Sequence, residues 1–349
     1  MRILLYEFIT GGGLAGRPVP RSLAREGLAM RAALLQDLAA IGTHRVVAAT
    51  DSRFAHPAPA GVDMLVVRGT ADIDALIRNS DAVWLIAPET GRCLERLAAG
   101  IERSGTMLLG PDAAAVRIAA DKSRLPRRLA RIGIDHPETL VLAPAVNAPV
   151  AGRRIGYPIV VKPARGAGCR GVRLVRHARE LPVAIDAAHR ASGTRPGCRS
   201  SNGAGGPLVM QRYMRGPAVS VSLLANGHRA VPLAINAQRI TAAPAFAYRG
   251  GSTPFEHPLA AASAAAATRT CGAIPGLRGF VGVDLVLTDA GPVVIEVNPR
   301  VTMAYLGLRA AVDENIAALA LAACHGTLPT PPVLRRRARF TAAGQVVCF

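Results

Sequence analysis

One stretch constrains this chain more than any other. Between residues 282 and 300, two apolar runs of strand length flank Thr288-Asp289-Ala290-Gly291, the composition of a hairpin turn. A turn on Asp289, Ala290 and Gly291, with glycine in the left-handed position, sets Asp284 directly opposite Glu296. Side chains alternate faces along a strand, so Asn298, two residues past Glu296, shares that face. Like charges placed opposite each other destabilise a sheet unless a cation lies between them. Asp284, Glu296 and Asn298 therefore form a hard-oxygen set suited to Mg²⁺, which takes few protein ligands together with phosphate oxygens and water. A solvated edge hairpin with incidental acids is the rival reading, and it leaves the convergence of three oxygen donors unexplained.

The basic residues carry the second signal. There are 42 lysines and arginines against 23 aspartates and glutamates, a formal charge of +19. Such a surplus ordinarily points to a polyanionic partner. Nucleic acid is nevertheless not the expected partner: there is no basic helix and no RNA-binding aromatic motif, and only 4% of the residues are aromatic. Lys122 and Lys162 are the only lysines, so the surplus is nearly all arginine and reflects compositional bias. A chain that could use arginine almost everywhere kept lysine at two places. A compact ammonium fits between phosphate oxygens where a planar guanidinium does not.

At 349 residues the chain is long enough for two or three units with a real core. Residues 2–8 read as a strand, followed by a glycine turn and a helix over 22–41 with Ser22 as its N-cap. Further strands are expected at 45–50, 64–67, 82–87 and 107–109, with helices near 73–79 and 91–104, so an open α/β layer ends near Gly110-Pro111. One helix is expected over 112–133, then an extended proline-rich link to about 151. Strands follow at 159–162, 172–175, 208–211, 219–224, 280–287 and 293–297. Residues 192–206 are expected to form a mobile surface loop, and the arginine-rich end beyond about 328 a tail without defined order. No apolar run approaches the roughly 20 residues of a membrane span. The six cysteines show no metal-site spacing and are expected as reduced thiols; residues 1–8 form no signal core, so a cytoplasmic protein is expected.

Two glycine clusters bear on chemistry. Residues 11–16 satisfy G-x-G-x-x-G after a strand, but Arg17-Pro18-Val19-Pro20 delays any helix, whereas a dinucleotide fold starts its helix at the motif. The favoured reading is a flexible loop over a cleft at the carboxyl end of the first strand. The run from Lys162 to Gly171 is not a Walker loop, since lysine precedes its glycines and a strand follows. It can still lay backbone N–H groups, at Gly166 and Gly168 among others, over phosphates while Lys162 holds their oxygens; an ordinary surface hairpin is the alternative. The eight histidines have no paired metal spacing, and no Ser-His-Asp arrangement or G-x-S-x-G is present.

Taken together, residues 112–324 resemble the ATP-grasp superfamily. The resemblance rests on Asp121-Lys122, on Tyr157-Pro158-Ile159-Val160-Val161-Lys162-Pro163 with its glycine hairpin, on Val209-Met210-Gln211-Arg212-Tyr213-Met214, and on Asp284, Glu296 and Asn298, in that order. It implies an α/β and α+β architecture, an ATP-grasp fold with an N-terminal open parallel α/β domain and two α+β lobes around ATP. The implied division is an N-terminal domain over 1–111, a linker helix and module start over 112–155, a small ATP-binding lobe over 156–216, a larger lobe with the metal site over 217–328, and a tail over 329–349. Lys122 and Lys162 would contact phosphates, Gln211, Arg212, Tyr213 and Met214 would hold adenine, and Asp284, Glu296 and Asn298 would bind two Mg²⁺ ions, or Mn²⁺ in their place. Ala218 stands where many relatives carry a ribose-binding glutamate and Gln211 where glutamate is frequent, which predicts loose ATP binding.

Within the superfamily, Leu4-Leu5-Tyr6-Glu7-Phe8, Arg25-Glu26-Gly27-Leu28-Ala29-Met30 and Tyr248-Arg249-Gly250-Gly251-Ser252-Thr253-Pro254 are similar to the tyramine-glutamate ligase group. That likeness implies an ATP-dependent carboxylate-amine ligase of methanofuran- or methylofuran-type cofactor biosynthesis, with small-molecule acid and amine substrates, no membrane partner, and a homodimer left open. Catalytic roles fall to Lys162 and to Arg300, whose fork suits phosphoryl oxygens, with a structural ion pair as the other reading of Arg300. Gln238, Arg239 and a Gly250-Gly251 turn are expected to face the acceptor. Two other readings stay open: a Rossmann-type NAD(P)-dependent oxidoreductase using residues 11–16, and a non-catalytic nucleotide- or nucleic-acid-binding protein.

Overall fold

A computed structural model describes residues 1–143, 147–192, 206–242 and 244–349. The first body is a five-stranded parallel sheet of order β3-β2-β1-β4-β5, built from β1 (Arg2–Glu7), β2 (Arg45–Thr50), β3 (Val62–Val66), β4 (Ala82–Ile86) and β5 (Met107–Leu108). Its crossovers are α1 (Arg21–Ile41), α2 (Thr70–Arg78) and α3 (Cys93–Arg103). β1, β2 and β4 are buried nearly throughout, as parallel strands covered on both faces must be. α1 starts at Arg21 rather than behind an N-cap at Ser22. Pro20 supplies the carbonyl for the Ala24 N–H, which draws Ser22 into the first turn. Gly42, at φ 73°, closes the helix in the left-handed conformation.

The single helix expected over 112–133 is two, α4 (Ala113–Ala119) and α5 (Leu125–Arg131). Asp112 caps the first through the Ala115 N–H at 2.7 Å, and Pro126, lacking an amide, fits only the first turn of the second. Asp121 and Lys122 therefore stand in a break, where the Lys122 N–H bonds to the Ala164 carbonyl at 2.9 Å instead of to a helix.

A second sheet, antiparallel and four-stranded, has the order β6-β9-β7-β8. It comprises β6 (Thr139–Leu142), β7 (Ile159–Pro163), β8 (Arg173–Val175) and β9 (Leu208–Arg212), backed by α6 (Ala148–Ile155) and α7 (Leu181–Ser192). The expected extended link thus contains a strand and a helix; Asn147 caps α6 through the Val150 N–H. Of the expected surface loop, residues 193–205 lie outside the described residues.

The third sheet is antiparallel and seven-stranded, in the order β14-β13-β10-β11-β12-β15-β16. Its strands are β10 (Ala218–Asn226), β11 (Ala230–Thr241), β12 (Ala247–Thr253), β13 (Arg278–Thr288), β14 (Gly291–Asn298), β15 (Ala338–Thr341) and β16 (Val346–Cys348), with α8 (Ala260–Gly272), α9 (Ala304–Ala311) and α10 (Ile316–Cys324) against it. The expected unstructured tail instead pairs β15 along β12 and buries Phe340. The Gly250-Gly251 pair lies inside β12, paired with β11 and β15, not in a turn; glycine is needed there because a Cβ would stand 2.1 Å from the Phe340 oxygen at Gly250 and 2.2 Å from that of Ala237 at Gly251.

The cores show how the bodies relate. One apolar cluster runs from Leu5, Leu34 and Trp84 of the first body into Tyr305, Ile316 and Phe340 of the third. The four-stranded sheet has its own, around Ile159, Val161, Leu208 and Met210. No helix among the described residues is long and apolar enough to cross a membrane.

Candidate active site

The four-stranded and seven-stranded sheets, with α1 of the first body, line a cavity of about 350 Å³. Its walls include every residue singled out in the sequence for nucleotide or metal: Lys122, Lys162, Gly166, Gly168, Gln211, Arg212, Tyr213, Met214, Asp284, Glu296, Asn298 and Arg300.

The acidic hairpin sets Asp284 opposite Glu296, by a different route from the one expected. The turn has two residues, Thr288 pairing directly with Gly291, and carried regularly along the ribbon this would oppose Asp284 to Ile295 and send Glu296 to the other face. A bulge between Asp284 and Leu285 leaves Ile295 as the extra residue and restores the pairing. Asn298 donates its amide N–H to Asp284 at 3.0 Å, and Gln238 on β11 donates to the other oxygen of Asp284, also at 3.0 Å. Gln238 lines the cavity and supports Asp284, whereas Arg239 is exposed and outside the cavity wall, contrary to its expected place at an acceptor.

The lysines come in from the opposite side. Lys122 Nζ lies 3.0 Å from a Glu296 oxygen and donates to the Gly166 carbonyl at 3.2 Å. Burial works against its charge, but Glu296 outweighs burial and holds the ammonium above its usual range. Lys162, 5% exposed, has no bridge of that kind among the described residues; burial pushes it down to about 8. For Glu296, burial is opposed by both lysines, which keep it ionised, while burial and the Glu296 charge push Asp284 up.

The chemistry of this donor set fits Mg²⁺. Among the described residues no group of three His, Cys, Asp or Glu side chains could hold a metal. Two carboxylates and an amide oxygen would need the phosphate oxygens of a nucleotide to complete a shell, and that is the usual habit of Mg²⁺.

Arg300 is held by Glu89, which follows β4: Nε donates to one carboxylate oxygen at 2.8 Å and Nη2 to the other at 3.1 Å. Nη1 donates to the Val301 carbonyl at 3.1 Å, which leaves one N–H on each terminal nitrogen. Asp121, buried in the helix break, anchors the hairpin through Arg165 Nη2 at 2.6 Å. Glu89 was not given its position by the sequence, because no local period links it to the motifs. The glycine turn at 11–13 is closely packed. A Cβ on Gly12 would stand 2.2 Å from Val67 and one on Gly13 2.2 Å from the Phe8 ring. The turn runs on past Gly16 and the next helix begins only at Arg21, without the helix start at the motif that a dinucleotide site uses, against the oxidoreductase reading.

The chain belongs to the ATP-grasp family. The ATP-grasp domain family matches residues 119–304 and the pre ATP-grasp 3 domain matches residues 44–116. Over 257 residues it is 24% identical to the carbamoyl phosphate synthase large chain of Thermus thermophilus, covering 71% of this chain and 24% of that one. It thus spans about a quarter of that relative's length. An ATP-grasp superfamily protein from Archaeoglobus fulgidus superposes with a TM-score of 0.69 at 22% identity, covering 97% of this chain and 92% of the other. D-alanine–D-alanine ligase from Bacillus anthracis, solved in complex with ATP, superposes with a TM-score of 0.58 at 18% identity and 87% coverage of both chains. These two likenesses show the fold.

Proposed function

We propose that the chain is an ATP-dependent ligase that joins a carboxylic acid to an amine through an acyl phosphate. The observation that carries this reading is the convergence of both lysines and the opposed Asp284–Glu296 pair on one cavity roofed by a glycine hairpin. The adenine would lie against Gln211, Arg212, Tyr213 and Met214, and the triphosphate would run under Gly166 and Gly168 between Lys122 and Lys162. Mg²⁺ held by Asp284, Glu296 and Asn298 would offset charge on the phosphoryl oxygens.

An oxygen of the acid attacks the γ-phosphorus, the bond to the β,γ-bridging oxygen breaks, and ADP leaves. The amine nitrogen then attacks the acyl carbon and phosphate departs. No nucleophilic side chain is required, so the protein's work is to position and to supply charge. Lys162 follows the transferring group, and the two open N–H bonds of Arg300, fixed by Glu89, suit the acyl phosphate oxygens.

For the substrates we propose glutamate and tyramine, in a methanofuran- or methylofuran-type pathway. Support comes from the three short runs similar to tyramine-glutamate ligases. Glu26 and Met30 of the second run and Tyr248 of the third line the cavity, while Glu7 of the first packs under the second, its carboxylate 2.7 Å from where a Cβ on Gly27 would stand. A screen of amino acids against tyramine and tyrosine, read by ADP release, tests this. The expected result is ADP and phosphate release that needs both acid and amine. ADP release that never depends on an acid would end the ligase reading.

A further inference from the structure

One carboxylate in the cavity wall has no task in the reaction as described. Glu26 reaches in from α1, with a carboxylate oxygen 4.0 Å from where a Cβ on Gly168 would stand, across from the tip of the glycine hairpin. Among the described residues no lysine, arginine or histidine nitrogen forms an ion pair with it. Arg300, committed to Glu89, and the exposed Arg170 act on it through their fields alone. Burial nevertheless raises its carboxyl above the ordinary range. Glu26, Tyr248 and Asp284 line the same cavity. Met30, Tyr248 and Met303 make the adjoining wall apolar and aromatic.

A half-buried carboxylate facing a cavity without a counter-ion costs stability until an opposite charge arrives. The two lysines cannot be that charge, since both face Glu296. Resting on the ligase reading above, we infer that Glu26 is the counter-charge for the incoming amine. The amine enters as an ammonium on an apolar or aromatic stem, which lies along Met30, Tyr248 and Met303; free ammonia would leave that wall uncovered. In the second half-reaction the ammonium gives one proton to the Glu26 carboxylate. Its nitrogen lone pair forms the C–N bond, the C–O bond to phosphate breaks with its electron pair, and the second nitrogen proton leaves on the phosphate. The products are amide, hydrogen phosphate and protonated Glu26, with atoms and charge conserved.

The test is a competition between a charged and an uncharged nucleophile. With glutamate as acid at about pH 8, tyramine is an ammonium and hydroxylamine is largely neutral, and both trap the same acyl phosphate. Glu26→Gln is expected to lower the ratio of amide to hydroxamate by about 30-fold, the loss typical of removing one partner of a desolvated ion pair. Glu26→Asp should recover part of it. Because it is a ratio, it does not depend on how much of each variant folds. An unchanged ratio in Glu26→Gln overturns the assignment of Glu26 and leaves the ligase reading standing. Absence of any hydroxamate from the wild-type protein, with glutamate or any other common amino acid, overturns the ligase reading itself and this inference with it.

Discussion

At the scale of single residues, the site is a balance of charges brought out of water. Lys162→Met keeps the length and apolar stem of a side chain whose ammonium is already disfavoured by burial. It is expected to leave thermal unfolding within a few degrees of wild type while lowering acid-dependent ADP release by about 100-fold or more. Wild-type turnover in that variant would remove Lys162 from the phosphate site. Asp284→Asn is a sharper case, because activity and stability should move in opposite directions. Removing one of two facing carboxylates relieves their repulsion, so the metal-free protein should melt no lower than wild type, whereas Mg²⁺-dependent turnover should fall by about 100-fold. A Mg²⁺ titration of ADP release beside a melting curve checks both, and an unaltered Mg²⁺ response would count against the assigned ligands. These residues were legible in the sequence because their types are unusual where they stand: two lysines among arginines, two acids set to face each other. Glu26 and Glu89 were not, since nothing in a helix or a loop distinguishes a carboxylate that points at a cavity from one that points at water.

At the scale of elements, the acidic hairpin shows how a correct register can follow from an incomplete account of the ribbon. A three-residue turn and a two-residue turn with a bulge at Ile295 oppose the same two side chains, and the alternation of apolar residues is compatible with both. The helix break at 120–124 was similarly open to local reading, because Pro126 forbids a continuous helix. The bond that decides its shape, Lys122 N–H to Ala164, was not, being made to another body. Glu95 on α3 ties that helix to α4: Arg92 donates to it at 2.6 Å and 2.8 Å and Arg117 at 2.9 Å. The Arg92 hydrogen bonds foremost, with Arg117, hold its carboxyl down to about 2 from an ordinary 4.5. A depressed carboxylate contributes stability above its unfolded pKa, and this is lost as pH falls from about 4.5 towards 2. Glu95→Gln is expected to cost about 1–2 kcal/mol at pH 7, discounted because solvent reaches both arginines, and to flatten the stability profile between those pH values. Urea unfolding at pH 7 and pH 3 measures it. Equal costs at the two pH values would show that the ion pairs contribute nothing.

At the scale of the whole molecule, the parallel-sheet body and the seven-stranded sheet share one core, stitched by Asp37 on α1. Tyr305 donates its hydroxyl to Asp37 at 2.5 Å, Arg309 donates at 2.7 Å, and Asn315 bonds the Asp37 carbonyl at 2.7 Å. Asp37→Ala strands the Tyr305 hydroxyl and the Arg309 charge, and should cost about 3 kcal/mol in thermal or urea unfolding. A loss below about 1 kcal/mol would mean that apolar packing alone joins the bodies. This contact matters for function because α1 also carries Glu26 and Met30 into the cavity. The sequence by itself determined the donor types, their order and the local pairing that aligns Asp284 with Glu296. All of these rest on interactions between near neighbours or on composition, where alternation and turn chemistry apply. Only the tertiary structure decided that α1 faces the glycine hairpin, that Glu89 clamps Arg300 from 211 positions away, and that residues 338–348 extend a sheet instead of trailing from it. Those contacts join segments whose meeting depends on how three sheets pack, and no local period in a chain encodes the burial that sets that packing.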